Sequence, residues 1–234
     1  MKKLLFIIVV MLSLSVSARE YEYPVLPQKG KHIEAFLPPG YTLLHQQRGD
    51  LNHDGTPDVA AVFQGIDSVY LPDVSTPEDT VYTRPRILLV LLMDTLTDTY
   101  LLHDQHNTFI LSHYDPNRDD PFDVLLIRDG CLLIRFRNFM HSGSWYSTTY
   151  TYSFRLTQNE FVLTDATVYS LHRASGEEEE YHYDFVQQKR IIKHKGVEDE
   201  VIRVKTDSIV PRKVLRLKDY LAPMTWQVDD EMIL

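Results

Sequence analysis

Thr149-Tyr150-Thr151-Tyr152-Ser153-Phe154-Arg155-Leu156 decides the fold class. Tyr150, Tyr152, Phe154 and Leu156 fall on one face of an extended chain, and Thr149, Thr151, Ser153 and Arg155 fall on the other. A period of two marks a half-buried strand. Gln158-Asn159 supplies turn residues, and Phe161 to Leu171 returns rich in β-branched residues, so the stretch predicts a hairpin. Cross-strand aromatic pairs on its apolar face add about 0.2–1 kcal/mol each.

Similar signals extend in both directions. Arg86-Ile87-Leu88-Leu89-Val90-Leu91-Leu92-Met93, bounded by Pro85 and Asp94, predicts a strand buried on both faces. Thr97-Asp98 turns the chain into Thr99 to Leu102, with Phe109-Ile110-Leu111 expected to continue the pairing. Cys131 to Phe136, Tyr181 to Val186 and Val201 to Lys205 read as further strands. Val214 to Leu217 reads as a last strand, followed by a short helical turn at Asp219-Tyr220-Leu221. Toward the start, Arg19 to Lys31 is an extended arm, and His32 to Leu37 makes one helical turn that Pro38-Pro39-Gly40 ends. Tyr41 to Leu44 is a short strand. Asp67 to Pro85, with three prolines, reads as a surface excursion, and Ser175 to Glu180 as a solvated turn because adjacent like charges repel. Lys189 to Val197 holds a basic turn, and Met224 to Leu234 is weakly specified. Strong helical periods are absent. The expectation is a mainly β domain of antiparallel sheets, a sandwich or a partial propeller-like arrangement, with little helix.

One stretch names a ligand by spacing. In Asp50-Leu51-Asn52-His53-Asp54-Gly55-Thr56-Pro57-Asp58, oxygen-bearing side chains stand first, third, fifth and ninth, a glycine sixth, and Thr56 offers its carbonyl seventh. A hard divalent cation takes six or more oxygens, and a tight loop with alternating inward side chains and a glycine at the reversal supplies them. Asp50, Asn52, Asp54, Thr56 and Asp58 are therefore the candidate calcium ligands. Position twelve, where an EF-hand places its bidentate Glu, is Ala61, and Val59 to Phe63 is a strand rather than a helix.

The loop and the strand behind it resemble the calcium loops of the FG-GAP or VCBS type, known from integrin α-chain propellers and exported bacterial proteins. That resemblance implies that Asp58 takes the place of the missing Glu as a ligand. Pro38-Pro39-Gly40-Tyr41, Asp120-Pro121-Phe122, Gly143-Ser144-Trp145 and Tyr183-Asp184-Phe185 extend the similarity to uncharacterised exported bacterial proteins with one such loop. A propeller repeats its loop in every blade, and this chain carries one good copy, so the full propeller is not implied.

Lys2 and Lys3 precede an apolar run from Leu4 to Leu14, and Val16-Ser17-Ala18 places small residues at a cleavage position. Residues 1–18 thus read as a signal peptide, 19–234 as one domain, and the protein as periplasmic or secreted, with no transmembrane segment. The formal charge is −9, and it becomes −11 when Lys2 and Lys3 leave. An acidic surface repels phosphate backbones, which argues against nucleic acid and favours cations. Cys131 is the sole cysteine, so no intramolecular disulfide forms, and a buried inert thiol is expected.

A second acidic stretch, Asp115-Pro116-Asn117-Arg118-Asp119-Asp120-Pro121-Phe122-Asp123, repeats the spacing through Asp115, Asn117, Asp119 and Asp123. Its sixth residue is Asp120, which Pro121 pushes toward extended angles, so a proline-stiffened turn is the expectation. The ten histidines include His103-Asp104-Gln105-His106, read as solvated loop residues rather than a zinc pair. His53 reads as an outward surface residue. Enzyme motifs with a fixed local pattern are missing. Ser144, Trp145, Tyr146 and Tyr150 form a polar aromatic cluster; aromatics of this kind stack on sugars or peptides, but in a β protein they are more often half-buried strand residues. Two functions follow: a non-enzymatic binding protein with a structural calcium ion and a protein or glycan partner, or an extracellular glycan-acting hydrolase with a calcium-supported loop.

Overall fold

The computed structural model describes residues 21–73, 76, 79–198, 201–210, 214–220, 222–229 and 232–234. The expected signal peptide lies outside the described residues, as does Leu221 of the expected last turn.

In chain order the strands are β1 (Lys29–Gly30), β2 (Tyr41–Gly49), β3 (Asp58–Gly65), β4 (Val69–Pro72), β5 (Thr80–Thr83), β6 (Arg86–Asp94) and β7 (Thr99–His106). There follow β8 (Phe122–Arg128), β9 (Cys131–Phe139), β10 (Tyr146–Thr157), β11 (Glu160–His172), β12 (Glu178–Asp184), β13 (Lys189–Lys195) and β14 (Arg203–Ser208). They form a five-stranded sheet ordered β1-β7-β6-β3-β2, a seven-stranded meander from β14 to β8, and the β4-β5 hairpin. Every strand pair is antiparallel. The fold is mainly β, as the alternation predicts.

Alternation along β10 is met residue for residue. Tyr152 and Phe154 are fully buried, and Tyr150 and Leu156 pack at the rim of the same core. The turn at Gln158-Asn159 has both φ angles positive, 50° and 62°, the geometry whose twist suits a two-residue hairpin. Strand β11 carries one extra residue: Ser153 pairs with Asp165 and Phe154 with Leu163. Thr164 is the bulge, and its hydroxyl donates to the Ser153 carbonyl at 3.1 Å. The bulge keeps both Phe161-Leu163 and Ala166-Val168 facing inward.

The five-stranded sheet is buried on both faces. Ala60, Val62, Leu88 and Val90 join the meander's inner face in one core, while Val59, Ala61, Phe63, Ile87, Leu89 and Leu91 face a second. The N-terminal arm closes that second face with Leu26, Ile33 and Phe36, the latter two on a 3-10 turn at Ile33–Phe36. Continuous apolar β3 and β6 are thus explained by two covers rather than one.

Several expectations are corrected. Phe109 to Leu111 is not a strand; Phe109 is an aromatic plug between the sheets, edge-on to Phe136, Tyr152, Phe154 and Tyr220 at 5.2–5.9 Å. The excursion from Asp67 to Pro85 contains the β4-β5 hairpin. Glu178, Glu179 and Glu180 are not in a solvated turn but in β12, opposite Lys195, His194 and Lys193 of β13, which is itself a strand instead of a basic turn. Like charges adjacent in sequence point to alternate faces, and the next strand brings the opposite sign. The tail folds on itself through reciprocal Trp226–Leu234 backbone hydrogen bonds of 2.7 Å, with Val228 and Leu234 in the core. Cys131 is half-buried, and burial pushes its thiol pKa up. Among the described residues no helix is long and apolar enough to cross a membrane.

Candidate functional site

Loop 50–58 joins the outermost strand of the five-stranded sheet, β2, to β3, and its own backbone organises the acidic side chains. Asp50 accepts from the N–H of Asp54 at 3.2 Å and of Gly55 at 2.9 Å through its two carboxylate oxygens. The Asp54 N–H is shared with Asn52 Oδ1 at 3.0 Å, and Asp54 Oδ1 accepts from the Thr56 N–H at 2.7 Å. These are the turns that short Asx side chains make with N–H groups further along the chain. His53 and Gly55 take positive φ, 62° and 84°, to let the backbone coil inward.

Asp58 differs from the other acids. It is fully buried, and it bridges two elements: Oδ2 accepts from the Leu51 N–H at 2.8 Å, and Oδ1 from the Met93 N–H at 2.9 Å at the end of β6. Burial raises its pKa, the two backbone donors oppose that, and the charges of Asp54 and Asp50 raise it further. Asp54 is exposed, and hydrogen bonds from Asn52 and then the Thr56 N–H hold its pKa below the usual carboxylate value.

The structure links Asp50, Asn52 and Asp54 directly by hydrogen bonds, while Asp58 is anchored separately on the Leu51 and Met93 N–H groups. Thr56 is half-buried at the exit. Each bonded carboxylate oxygen retains a lone pair, so the donor set is all-oxygen and hard, the chemistry a calcium ion takes. Among the described residues no three His, Cys, Asp or Glu side chains gather tightly enough to make a metal site by themselves. A full shell at the loop therefore depends on Asn52 and the Thr56 carbonyl as well as the acids.

Countercharge separates this loop from the second acidic stretch. There Asp115 meets Arg118 at 3.2 Å, Asp119 meets Arg137 at 2.7 Å, and Asp123 meets Arg135 at 2.6 Å. Asp120 is held by the buried Arg86 at 2.5 Å. Asn117 spends its amide on Ser142. That stretch is a cross-linked turn with its negative charge already met. Among the described residues Asp50, Asp54 and Asp58 have no cationic side chain in ion-pair range.

His53 is exposed as expected, yet its ring lies over Gly130 in the β8-β9 turn, where an added Cβ would sit 2.2 Å from it. His103 and His106 are not solvated loop residues. His103 is bonded to Asp104 at 2.7 Å inside β7. His106 donates from Nε2 to the Tyr220 carbonyl at 2.8 Å and accepts the Phe109 N–H on Nδ1 at 3.1 Å. Sequence reasoning missed both arrangements, which depend on partners from other elements. Trp145 and Tyr146 are exposed, whereas Tyr150 is a half-buried strand residue packed on the core.

Comparison with known protein families, with curated proteins and with solved structures finds no match.

Proposed function

We propose that the chain is an exported β-sandwich protein stabilised by one calcium ion at loop 50–58, with a non-enzymatic binding role. The observation that carries this reading is the buried Asp58 carboxylate, crowded by Asp50 and Asp54 and lacking a cationic partner among the described residues. A divalent cation relieves that crowding, and Asp50, Asn52, Asp54, Asp58 and the Thr56 carbonyl would hold it. The resemblance of the loop to the FG-GAP type agrees with this assignment.

The hydrolase reading calls for a pocket holding two carboxylates or a Ser/His pair at bonding distance, and in the two-carboxylate form one acid is kept protonated beside the other. Asp104 and Glu160 share a cleft, but the ammonium of Lys218 and the guanidinium of Arg216 hold the Glu160 pKa below the usual value. Asp104 is bound to His103. In this cleft the chemistry supports binding over cleavage by a carboxylate pair.

Because the ion binds the folded chain, its affinity adds to stability by mass action, about 2.7 kcal/mol at one hundred times Kd. For a chain of this size that is a rise of roughly 5–10 °C in Tm. Thermal melts in calcium and in chelator test it: the shift should be present in the wild type and gone in Asp54→Ala. Superimposable wild-type melts would contradict the proposal.

A further inference from the structure

Strand β7 does not run evenly beside β6. Val90 pairs with Asp104 and Leu91 with Leu102, which leaves His103 as the extra residue of a β-bulge. A bulge breaks the alternation of successive side chains and re-aims them. Nδ1 of His103 therefore reaches its own neighbour, Asp104, at 2.7 Å. The carboxylate can only accept, so Nδ1 carries a proton. The ring is wedged edge-on against Phe161 at 5.3 Å. Nε2 is buried, with Asn159 as its neighbour.

This dyad forms part of the wall of a cavity of about 460 Å³ between β7, the β10-β11 turn and the 3-10 turn at Leu217–Asp219. Gln158, Asn159, Glu160, Arg216 and Lys218 complete the polar lining. The volume falls within the range of small-molecule sites. Apolar ligands are poorly matched to such a wall. Formal ions are poorly matched too, because the charges cancel in place. Glu160 takes Lys218 and, at 3.0 Å, Arg216; Arg216 also holds Asp219 at 2.7 Å; and Asp104 accepts the hydrogen bond from His103 Nδ1.

What the wall offers is a dense set of donors and acceptors with little net charge. A sugar hydroxyl both donates and accepts, and vicinal hydroxyls present paired groups that planar carboxylate, amide and guanidinium edges can match. We infer that the cleft bounded by the His103 bulge, Asn159, Glu160, Arg216 and Lys218 is a binding site for a neutral saccharide of one or two rings. The site is preorganised: the bulge fixes the dyad, and the left-handed Gln158-Asn159 turn fixes the rim. Glu160, held ionised by its two cationic neighbours, binds without protonating a leaving group. The site shares no residue with loop 50–58 and does not rest on the calcium assignment.

The test is a ¹H–¹⁵N NMR titration of the full domain, in calcium, with millimolar glucose, galactose, mannose, N-acetylglucosamine, maltose and cellobiose, and separately with inorganic phosphate. At least one sugar should cause saturable shifts at the Glu160 amide and the His103 ring. Lys218→Ala and Asn159→Gly alter exposed groups, and glycine keeps the left-handed turn; each should weaken that binding about tenfold or more. Failure of every sugar to move these signals would overturn the inference. So would shifts that survive both substitutions, or shifts caused by phosphate alone.

Discussion

The carboxylate of Asp58 accepts the backbone N–H of Met93 at 2.9 Å, across 35 residues of chain. Its other oxygen takes the Leu51 N–H, so one buried side chain ties the start of the acidic loop to the end of β6. Replacing it with alanine strands two enclosed donors. In chelator, Asp58→Ala should cost about 2–4 kcal/mol in urea unfolding, and Asp58→Asn, which keeps one acceptor, about half as much. Equal stability of Asp58→Ala and wild type would refute this role.

The loop is also fastened from the far sheet. Gly130 has φ 69°, and a methyl group there would overlap the His53 ring. Gly130→Ala should therefore destabilise by about 1–3 kcal/mol. Part of that cost is the collision, so it should shrink by about 0.5–1 kcal/mol in a His53→Ala background. A double-mutant cycle measures the coupling; strict additivity would show that the ring and the turn do not meet.

His106 makes the fold sensitive to acid. Burial lowers its pKa, and the Tyr220 carbonyl offsets this only in part. Nδ1 accepts a backbone N–H, a role the protonated ring cannot play. A group with a depressed folded pKa contributes stability above its unfolded value, about 6.5, and loses it as pH falls through the folded value. His182, raised by its hydrogen bond to Asp165, acts in the opposite sense and loses its contribution as pH rises. The comparison is between wild type and His106→Gln. Wild-type stability should fall more steeply with acidification below about pH 6.5, and parallel profiles would exclude the assignment.

Strand identity was legible where the signal is local. Tyr152 and Phe154 alternate into the core, and the run from Ile87 to Leu91 is buried on both faces, as the pattern of each stretch says. Bulges were not legible, because the extra residues Thr164 and His103 are defined by partner strands. Charge misled at Glu178 to Glu180 for the same reason: Lys193 and Lys195 lie on the neighbouring strand, at 2.7 and 3.2 Å from Glu180 and Glu178. The acidic loop could be read because its ligand spacing is contained in nine residues, whereas the Met93 donor beneath it comes from another element.

Calorimetric titration of calcium into chelator-stripped protein addresses the central claim most directly. One ion per chain should bind to the wild type and to Asp119→Ala, whose native acid already has an arginine, and none to Asp54→Ala. No binding heat at about millimolar calcium, or an undiminished isotherm in Asp54→Ala, would contradict the account.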